Sequence, residues 1–494
     1  MEKLVTSEQI RKLESKVIGD RETISLALME KAGSGLAKIA LEYNEPYLVI
    51  CGKGNNGGDG IVAARYLLES KKKVFLFLTS NPNEISRDAK TNFELIKEKI
   101  NYFVLAKTED KAFLDKLTNS NTVIECLLGT GRKSNLGEFY EWIIKSVNNS
   151  KKTVIACDIP TGVDADTGNI SSSVIKADVT VTFGYPKIGL LVYPARKYVG
   201  KLKTIDIGLA LPTTNYFLLN DDFLKENLPK RFEDSNKGTF GKTLLVCGSK
   251  KYPGAAFLAS RAASSIGSGL TTLSSPEKVL QKITKEIPEV TYADFSLDAI
   301  LEESEKSSVI VIGPGLGTED KVKDLVFNLI KKVNIPIVLD ADGINVLSGK
   351  KEILKEAKKE IVITPHPKEF SRLTQKNLED VLNNKIELTK NEAHFLNATV
   401  VLKGPATIIG TKDGNVYISG FANAALAKGG TGDVLAGFIG GLIAQGLEPS
   451  LAACVGVYLH GKCGEVVAKK KTVFSVLPQD LINVLPDVIR GFVF

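Results

Sequence analysis

One pattern recurs along this chain: a short run of β-branched and apolar residues that ends in a cluster of glycines and polar side chains. In the first half it appears as PYLVIC (46–51), VFLFL (74–78), NTVIEC (121–126), KTVIAC (152–157) and ADVTVTF (177–183). In the second half it appears as SSVIVIGPGLG (307–317), IPIVLDADGIN (335–345), EIVITPHPKEF (360–370) and ATVVLKGPATIIG (398–410). Runs that are apolar at nearly every position have no face to offer water. They predict parallel strands buried between layers of helix, and so an α/β fold. At 494 residues the chain is too long for one core, and ALPTTNYF followed by NDDFLKENLPKRFEDSNKG brings prolines, polar residues and little periodicity. Two domains are therefore expected, 1–215 and 216–494. In open α/β sheets ligands bind in the loops at the carboxyl ends of the strands, so the polar clusters are where chemistry is sought.

Composition excludes several classes. The formal charge of +7 is spread over Lys–Glu mixtures with no basic block, which tolerates anionic substrates and gives no reason to expect nucleic acid. The six cysteines show no C-x-x-C spacing, and Cys51, Cys126, Cys157 and Cys247 each end an apolar run. They read as small core residues in a reducing compartment. MEKLVTSEQIRKLE at the start lacks the apolar segment of a signal peptide, and no apolar run reaches the ~18 residues of a membrane span. A cytoplasmic protein with no membrane association is expected.

The first half opens with two helical patterns, Thr6 to Ile18 behind a Thr6-x-x-Gln9 capping box and Thr23 to Tyr43. The run 46–51 then enters GKGNNGGDG, where Gly52, Gly54 and Gly57 have the spacing of a dinucleotide-binding turn between strand and helix. The acid that ordinarily holds the ribose is missing, since VFLFL runs into Thr79, Ser80 and Asn81, and this ranks a hydride-transferring dehydrogenase last. Asn55, Asn56 and Asp59 add polar groups a tight turn does not need, although Asn also serves simply to adopt a left-handed conformation. Further on, strand ends carry Gly129-Thr130-Gly131-Arg132, Asp158-Ile-Pro-Thr161-Gly-Val-Asp164 and Tyr185-Pro186-Lys187.

In the second half, KGGTGDVLAGFIGGLIAQG (428–446) reads as a glycine-rich loop feeding the first turn of a buried helix. Small residues let backbone N–H groups approach a phosphate, and the helix dipole stabilises the charge there. Asp433 is then placed to orient an attacking hydroxyl, or serves only as a helix cap. Asp340, Asp342, Asn345, His366 and Lys403 lie at strand ends on one edge of the same sheet. Each has a structural alternative, as cap, loop residue or surface charge; together with the 428–433 turn they suggest nucleotide-dependent phosphoryl transfer without a Walker loop.

Two resemblances bear on these residues. NNGGDG (55–60), GTG (129–131), DIPTGVD (158–164) and Pro186-Lys187 resemble the N-terminal epimerase domain of the NAD(P)H-hydrate repair enzymes. KGTFG, PGAA, GPGLG, LDADGIN, TPHPKEF, LKGPAT and GGTGDVLAG occur in the order of the NAD(P)H-hydrate dehydratases, a branch of the ribokinase-like fold. The resemblance implies an N-terminal Rossmann-like three-layer αβα domain and a C-terminal ribokinase-like α/β domain.

It implies that the first domain interconverts the R and S epimers of hydrated NADH or NADPH with a potassium ion held by Asn56, Glu125 and Thr161. Asp158 and Lys187 handle protons. Asn55, Asn56, Gly57, Gly58, Asp59 and Asp158 contact the substrate, as does the segment Gly129, Thr130, Gly131, Arg132, Lys133, Ser134 and Asn135. The second domain is implied to dehydrate the S epimer with ADP and Mg2+. Asp433 is then the catalytic acid/base, Ala255, Gly317, His366 and Asp433 contact the hydrate, and Lys403, Gly404, Pro405, Ala406, Thr407 and Gly432 hold the nucleotide. Glu125 and Thr161 stand where the family usually has Asp and Ser, and ALAKGG (425–430) differs from the more usual MATGG. The expected partners are these small molecules and further copies of the chain. The alternative is a small-molecule kinase of the ribokinase-like fold fused to a nucleotide-binding scaffold domain.

Overall fold

Alternate residues of each apolar run point to opposite sides of a sheet, and in this protein both sides are covered. The computed structural model describes residues 1–19, 22–130 and 136–493. The chain divides into two units, Lys3–Thr214 and Asn215–Phe494, the second taking Met1–Glu2 as well.

In Lys3–Thr214 the strands β1 (Tyr47–Cys51), β2 (Val74–Leu78), β3 (Tyr102–Val104), β4 (Thr122–Cys126), β5 (Thr153–Cys157), β6 (Val179–Phe183) and β7 (Lys201–Ile205) lie in the order β3-β2-β1-β4-β5-β6-β7. Every neighbouring pair is parallel. Val49, Cys51 and Ile124 pack with Leu36 and Ala64 on one side, while Leu48, Ile50 and Val123 pack with Phe113 and Ile143 on the other. Each such side chain stabilises the fold by about 1.5–3 kcal/mol relative to exposure. The order reverses between β1 and β4, which opens a crevice at their carboxyl ends. The loop after β1 crosses it closely: a Cβ added at Gly57 would lie 1.8 Å from the Gly52 carbonyl oxygen, and one at Gly52 would lie 1.9 Å from that of Leu127. Only glycine fits at either place.

In Asn215–Phe494 the strands are β8 (Tyr216–Leu218), β9 (Lys242–Val246), β10 (Leu270–Ser274), β11 (Thr291–Ala293), β12 (Val309–Ile312), β13 (Ile337–Leu339), β14 (Ile361–Ile363), β15 (Thr399–Leu402), β16 (Ile408–Gly410) and β17 (Val416–Ile418). They run β8-β17-β16-β15-β14-β13-β12-β9-β10-β11, parallel from β15 to β11. Leu245 and Val311 pack with Ala259 and Phe438 on one side; Leu244 and Ile310 pack with Leu329 and Phe370 on the other. This unit, too, has three αβα layers, with its switch point between β9 and β12. The helix Pro449–Lys471 is long and apolar enough to cross a membrane by length and composition, but 72% of its apolar window is buried inside the unit.

Two local expectations need correction. ATVVLKGPATIIG is not one more strand feeding a helix: β15 and β16 form an antiparallel pair, and Lys403–Thr407 is its turn. The supposedly plain connection around residue 215 contains β8, paired with β17, and the helix Asp221–Asn227, which buries Phe223 and Leu224 and is capped by the Asn220 side chain. Elements of three and seven residues are too short to show a period. All six cysteines are free and buried, as the positions of Cys51, Cys126, Cys157 and Cys247 at the ends of apolar runs imply for those four.

Candidate functional site

At the carboxyl ends of β5 and β6, Asp158 and Lys187 meet. Lys187 is 2% exposed, and its ammonium donates to Asp158 Oδ1 at 2.5 Å, to Thr182 Oγ1 at 3.0 Å and to the Phe183 carbonyl at 3.1 Å. Thr182 Oγ1 also donates to Asp158 Oδ1 at 3.1 Å. Asp158 itself sits at φ +62°, a left-handed conformation that Asp tolerates better than most residues. Asp59, in the first turns of the helix Asn55–Glu69, belongs to the same group. Burial and the charges of Asp158 and Glu14 lift its carboxyl well above the ordinary range.

In the crevice between β1 and β4 lies a second polar set. Asn56 is buried, and neither its amide oxygen nor its nitrogen has a hydrogen-bond partner among the described residues. Glu125, fully buried, accepts from the Leu127 N–H at 2.8 Å, the Thr161 hydroxyl at 2.7 Å and the Thr161 N–H at 3.1 Å. Burial raises its carboxyl to about 7 against the lowering effect of those bonds. A Cβ on Gly129 would lie 3.6 Å from Asn56 Oδ1, so Gly129 and the neighbouring Thr130 border this set. Gly58 faces elsewhere: its Cα packs against Met29 in the helix layer. Gly131, Arg132, Lys133, Ser134 and Asn135 lie outside the described residues.

The second unit gathers its groups around the start of the helix Thr431–Ala444. Gly430, at φ +96°, is the N-cap and puts Asp433 in the first turn. No N–H of that helix bonds the Asp433 carboxylate among the described residues, so it is not a cap. Asp340, at the end of β13, is 1% exposed and accepts from Lys403 Nζ at 2.6 Å and Thr364 Oγ1 at 2.6 Å, both at Oδ1. A Cβ on Gly432 would lie 3.3 Å from Lys403 Nζ and 3.7 Å from Asp340 Oδ2. Glycine there keeps the helix start open to the ammonium. Burial and the charge of Asp340 raise the Asp433 carboxyl to about 7, with Lys403 opposing. For Lys403, burial works against the ammonium, yet Asp340 and Glu369 outweigh it and hold it above the usual lysine range.

The remaining expected residues lie in loops and first helical turns around this centre. Asp342 Oδ2 accepts from the Gly317 N–H at 2.8 Å, and a Cβ on Gly315 would touch that of Ala255 at 2.8 Å, which brings the β9 and β12 loops together at the switch point. His366 is a cap as well as a candidate contact: its Nδ1 accepts from the Lys368 and Glu369 N–H groups at 3.1 and 3.2 Å. That leaves the ring proton on Nε2. Burial, then Lys403 and Arg372, lower its pKa and keep the ring neutral. The Lys403 N–H donates to the Pro365 carbonyl at 2.8 Å and so ties the hairpin turn to the His366 loop, while Gly404 and Pro405 are exposed.

Both units match known proteins. The family model described as NAD(P)H-hydrate dehydratase matches residues 243–487, and that described as YjeF-related protein N-terminus matches residues 25–189. The bifunctional NAD(P)H-hydrate repair enzyme Nnr of Moorella thermoacetica is 35% identical over 99% of this chain and 97% of its own length. That of Thermofilum pendens is 36% identical over 94% and 92%. The chain belongs to the bifunctional NAD(P)H-hydrate repair enzymes.

Solved structures agree for the larger unit of this repair enzyme. The ADP/ATP-dependent NAD(P)H-hydrate dehydratase from Bacillus subtilis, co-crystallised with ATP and Mg2+, is 32% identical with a TM-score of 0.51, covering 57% of this chain and 100% of that one. A ribokinase-like superfamily protein from Enterococcus faecalis is 28% identical with a TM-score of 0.51, covering 57% and 98%. Several groups in the two candidate sites escaped the sequence reading of functional residues. Thr182 was signalled only by its place in the period-two alternation of β6. Glu369 was signalled by the His366-x-x-Glu369 spacing of a capping box, which the structure contains. Thr364, which bonds Asp340, had no signal beyond its position at a strand end.

Proposed function

We propose that Lys3–Thr214 interconverts the R and S epimers of hydrated NADH or NADPH, and that Asn215–Phe494 dehydrates the S epimer with ADP, releasing AMP and phosphate. The observation that carries this reading is the meeting of Asp433, Asp340 and Lys403 at the glycine-lined start of one helix. Hydroxide is a poor leaving group, so the C6 hydroxyl of the hydrate must be converted before it departs. Asp433 takes its proton as the oxygen attacks the terminal phosphoryl group of ADP; the P–O bond to AMP breaks and a phosphate ester forms at C6. The ring nitrogen's electron pair then expels phosphate, and loss of a C5 proton restores the dihydronicotinamide. Lys403 and the N–H groups of the helix start stabilise the charge on the transferring group, and the neutral His366 ring offers Nε2–H to the hydrate. Ala255 and Gly317 line the hydrate's side, and Gly404–Thr407 the nucleotide's.

Asp340 Oδ2 accepts no hydrogen bond among the described residues and faces the Gly432 turn, which suits a hard cation held largely through water. Asp340 would hold Mg2+ there, and it would offset phosphoryl charge. The decisive experiment supplies both epimers with either ADP or ATP and follows NADH absorbance and nucleotide products. ADP is expected to support recovery with release of AMP and free phosphate. Accumulation of a stable phosphoester would make the unit a kinase.

In the epimerase unit, inversion at C6 needs a bond to that carbon opened and re-formed. A base takes the C6 hydroxyl proton as the C6–N1 bond breaks to an aldehyde, an acid protonates N1, and the reverse steps close the ring on the other face; Asp158 with Lys187 provides an acceptor and a donor in contact. Asn56, Glu125 and Thr161 would hold K+. A buried amide with no partner costs about 1–3 kcal/mol, and an oxygen-only set fits a hard monovalent ion that orients the neighbouring loops. Asn56→Ala is therefore expected to remove the response of R-to-S conversion to added KCl, measured against choline chloride. A variant as responsive as the parent would take Asn56 out of the ion site.

A further inference from the structure

We infer that Glu14, on the N-terminal helix Ser7–Ile18, is a positioning residue of the epimerase site: its carboxylate faces the Asp158–Lys187 pair and sets how that pair exchanges protons. The inference rests on the proton-handling role proposed above for Asp158 and Lys187.

The helix is fastened to this site from its first residue. Val5 N–H donates to the Pro186 carbonyl and the Ile188 N–H donates to the Val5 carbonyl, both at 3.1 Å, so the chain entering the helix brackets Lys187. Thr6 and Gln9 close a capping box, and Ser7 donates to Asp166 through both its N–H and its hydroxyl at 2.5 Å. One turn on, Ile10 is buried with its Cδ1 3.4 Å from where a Gly184 Cβ would stand, next to Phe183, whose carbonyl takes a Lys187 bond. Glu14 follows Ile10 by four residues and so shares that face. Glu14 is half-buried on this face, and its carboxylate makes no hydrogen bond among the described residues.

The charged groups facing it are Lys187, Asp158 and Asp59, with Arg11 on its own helix. Burial raises its pKa, Lys187 and Arg11 lower it and Asp158 raises it. Ionised, Glu14 adds a negative charge beside the pair, and such a charge disfavours loss of a proton from the groups it faces, as it does at Asp59.

Glu14→Gln removes that charge with little change in shape. The pH profile of R-to-S conversion, followed chromatographically, is expected to move to lower pH on both limbs, with the rate at neutral pH falling on the order of tenfold. Glu14→Asp is expected to restore the position of the limbs. Dehydration of purified S epimer by the same variants should match the parent, and an unchanged denaturant unfolding midpoint shows that the unit carrying Glu14 is folded. Limbs that stay in place in Glu14→Gln, whatever the rate, overturn the inference. Asp158→Asn run in parallel separates the two levels: if it keeps full conversion, the reading of the pair fails, whereas if it is inactive and the Glu14→Gln limbs stay fixed, only the role of Glu14 fails.

Discussion

Asp433→Asn is expected to lower kcat for ADP-dependent recovery of NADH by at least about a hundredfold, the contribution general-base catalysis typically makes. Asparagine keeps the size of the side chain and the helix start but cannot take the C6 hydroxyl's proton. Because Gly430 caps the helix and no first-turn N–H depends on Asp433, the substitution removes chemistry and leaves the fold. Epimerisation, which uses other residues, should be untouched, and this makes R-to-S conversion the internal control. Retention of most of the recovery rate would remove Asp433 from its role.

The role proposed for Asp433 also sets the expected pH dependence of the parent enzyme. Burial and Asp340 lift the Asp433 carboxyl to about 7, so the group is protonated below that pH and ionised above it. A base must be ionised to act. The profile of kcat/KM, which reports the free enzyme, should therefore rise with pH through about 7. The buried Asp340–Lys403 pair beside it explains why the group is poised: Asp340 repels a second negative charge, while Lys403, held protonated, keeps that repulsion from neutralising Asp433 altogether.

The layers of both units were legible in the chain because strands buried on two faces are apolar at successive positions, a pattern that depends on neighbours in sequence alone. The glycine-lined turn before Asp433 was legible for a similar reason, since cap, first turn and apolar helix follow one another without a gap. What could not be read was pairing across distance. Lys403 stands 63 positions from Asp340, and nothing in either segment says that the ammonium leans on that carboxylate beside Gly432. Nor did LKGPAT announce a hairpin turn, because an antiparallel return and a strand-to-helix loop begin with the same polar and glycine residues. Glu14 was hidden differently: one acid among the many charges of MEKLVTSEQIRKLE looks like a solvated helix face until the fold turns it inward.

Asp158→Asn is expected to abolish R-to-S conversion, with a loss of about 10²–10⁴-fold. Asparagine is the cleaner substitution because it tolerates the φ of +62° at this position, where alanine would add backbone strain. The variant also leaves Lys187, 2% exposed, without its counter-charge. Removing one partner of a buried ion pair costs about 3–5 kcal/mol, whereas replacing both is often neutral. Asp158→Asn should therefore unfold at lower denaturant, while the double variant Asp158→Asn/Lys187→Met should recover most of that stability and none of the activity. A pair kept only for structure predicts the opposite for activity, since the restabilised double variant would then convert epimers normally. Thr182, which bonds both partners, provides a graded case: Thr182→Val keeps the ion pair and its charge but loses two hydrogen bonds, and should slow conversion far less than Asp158→Asn.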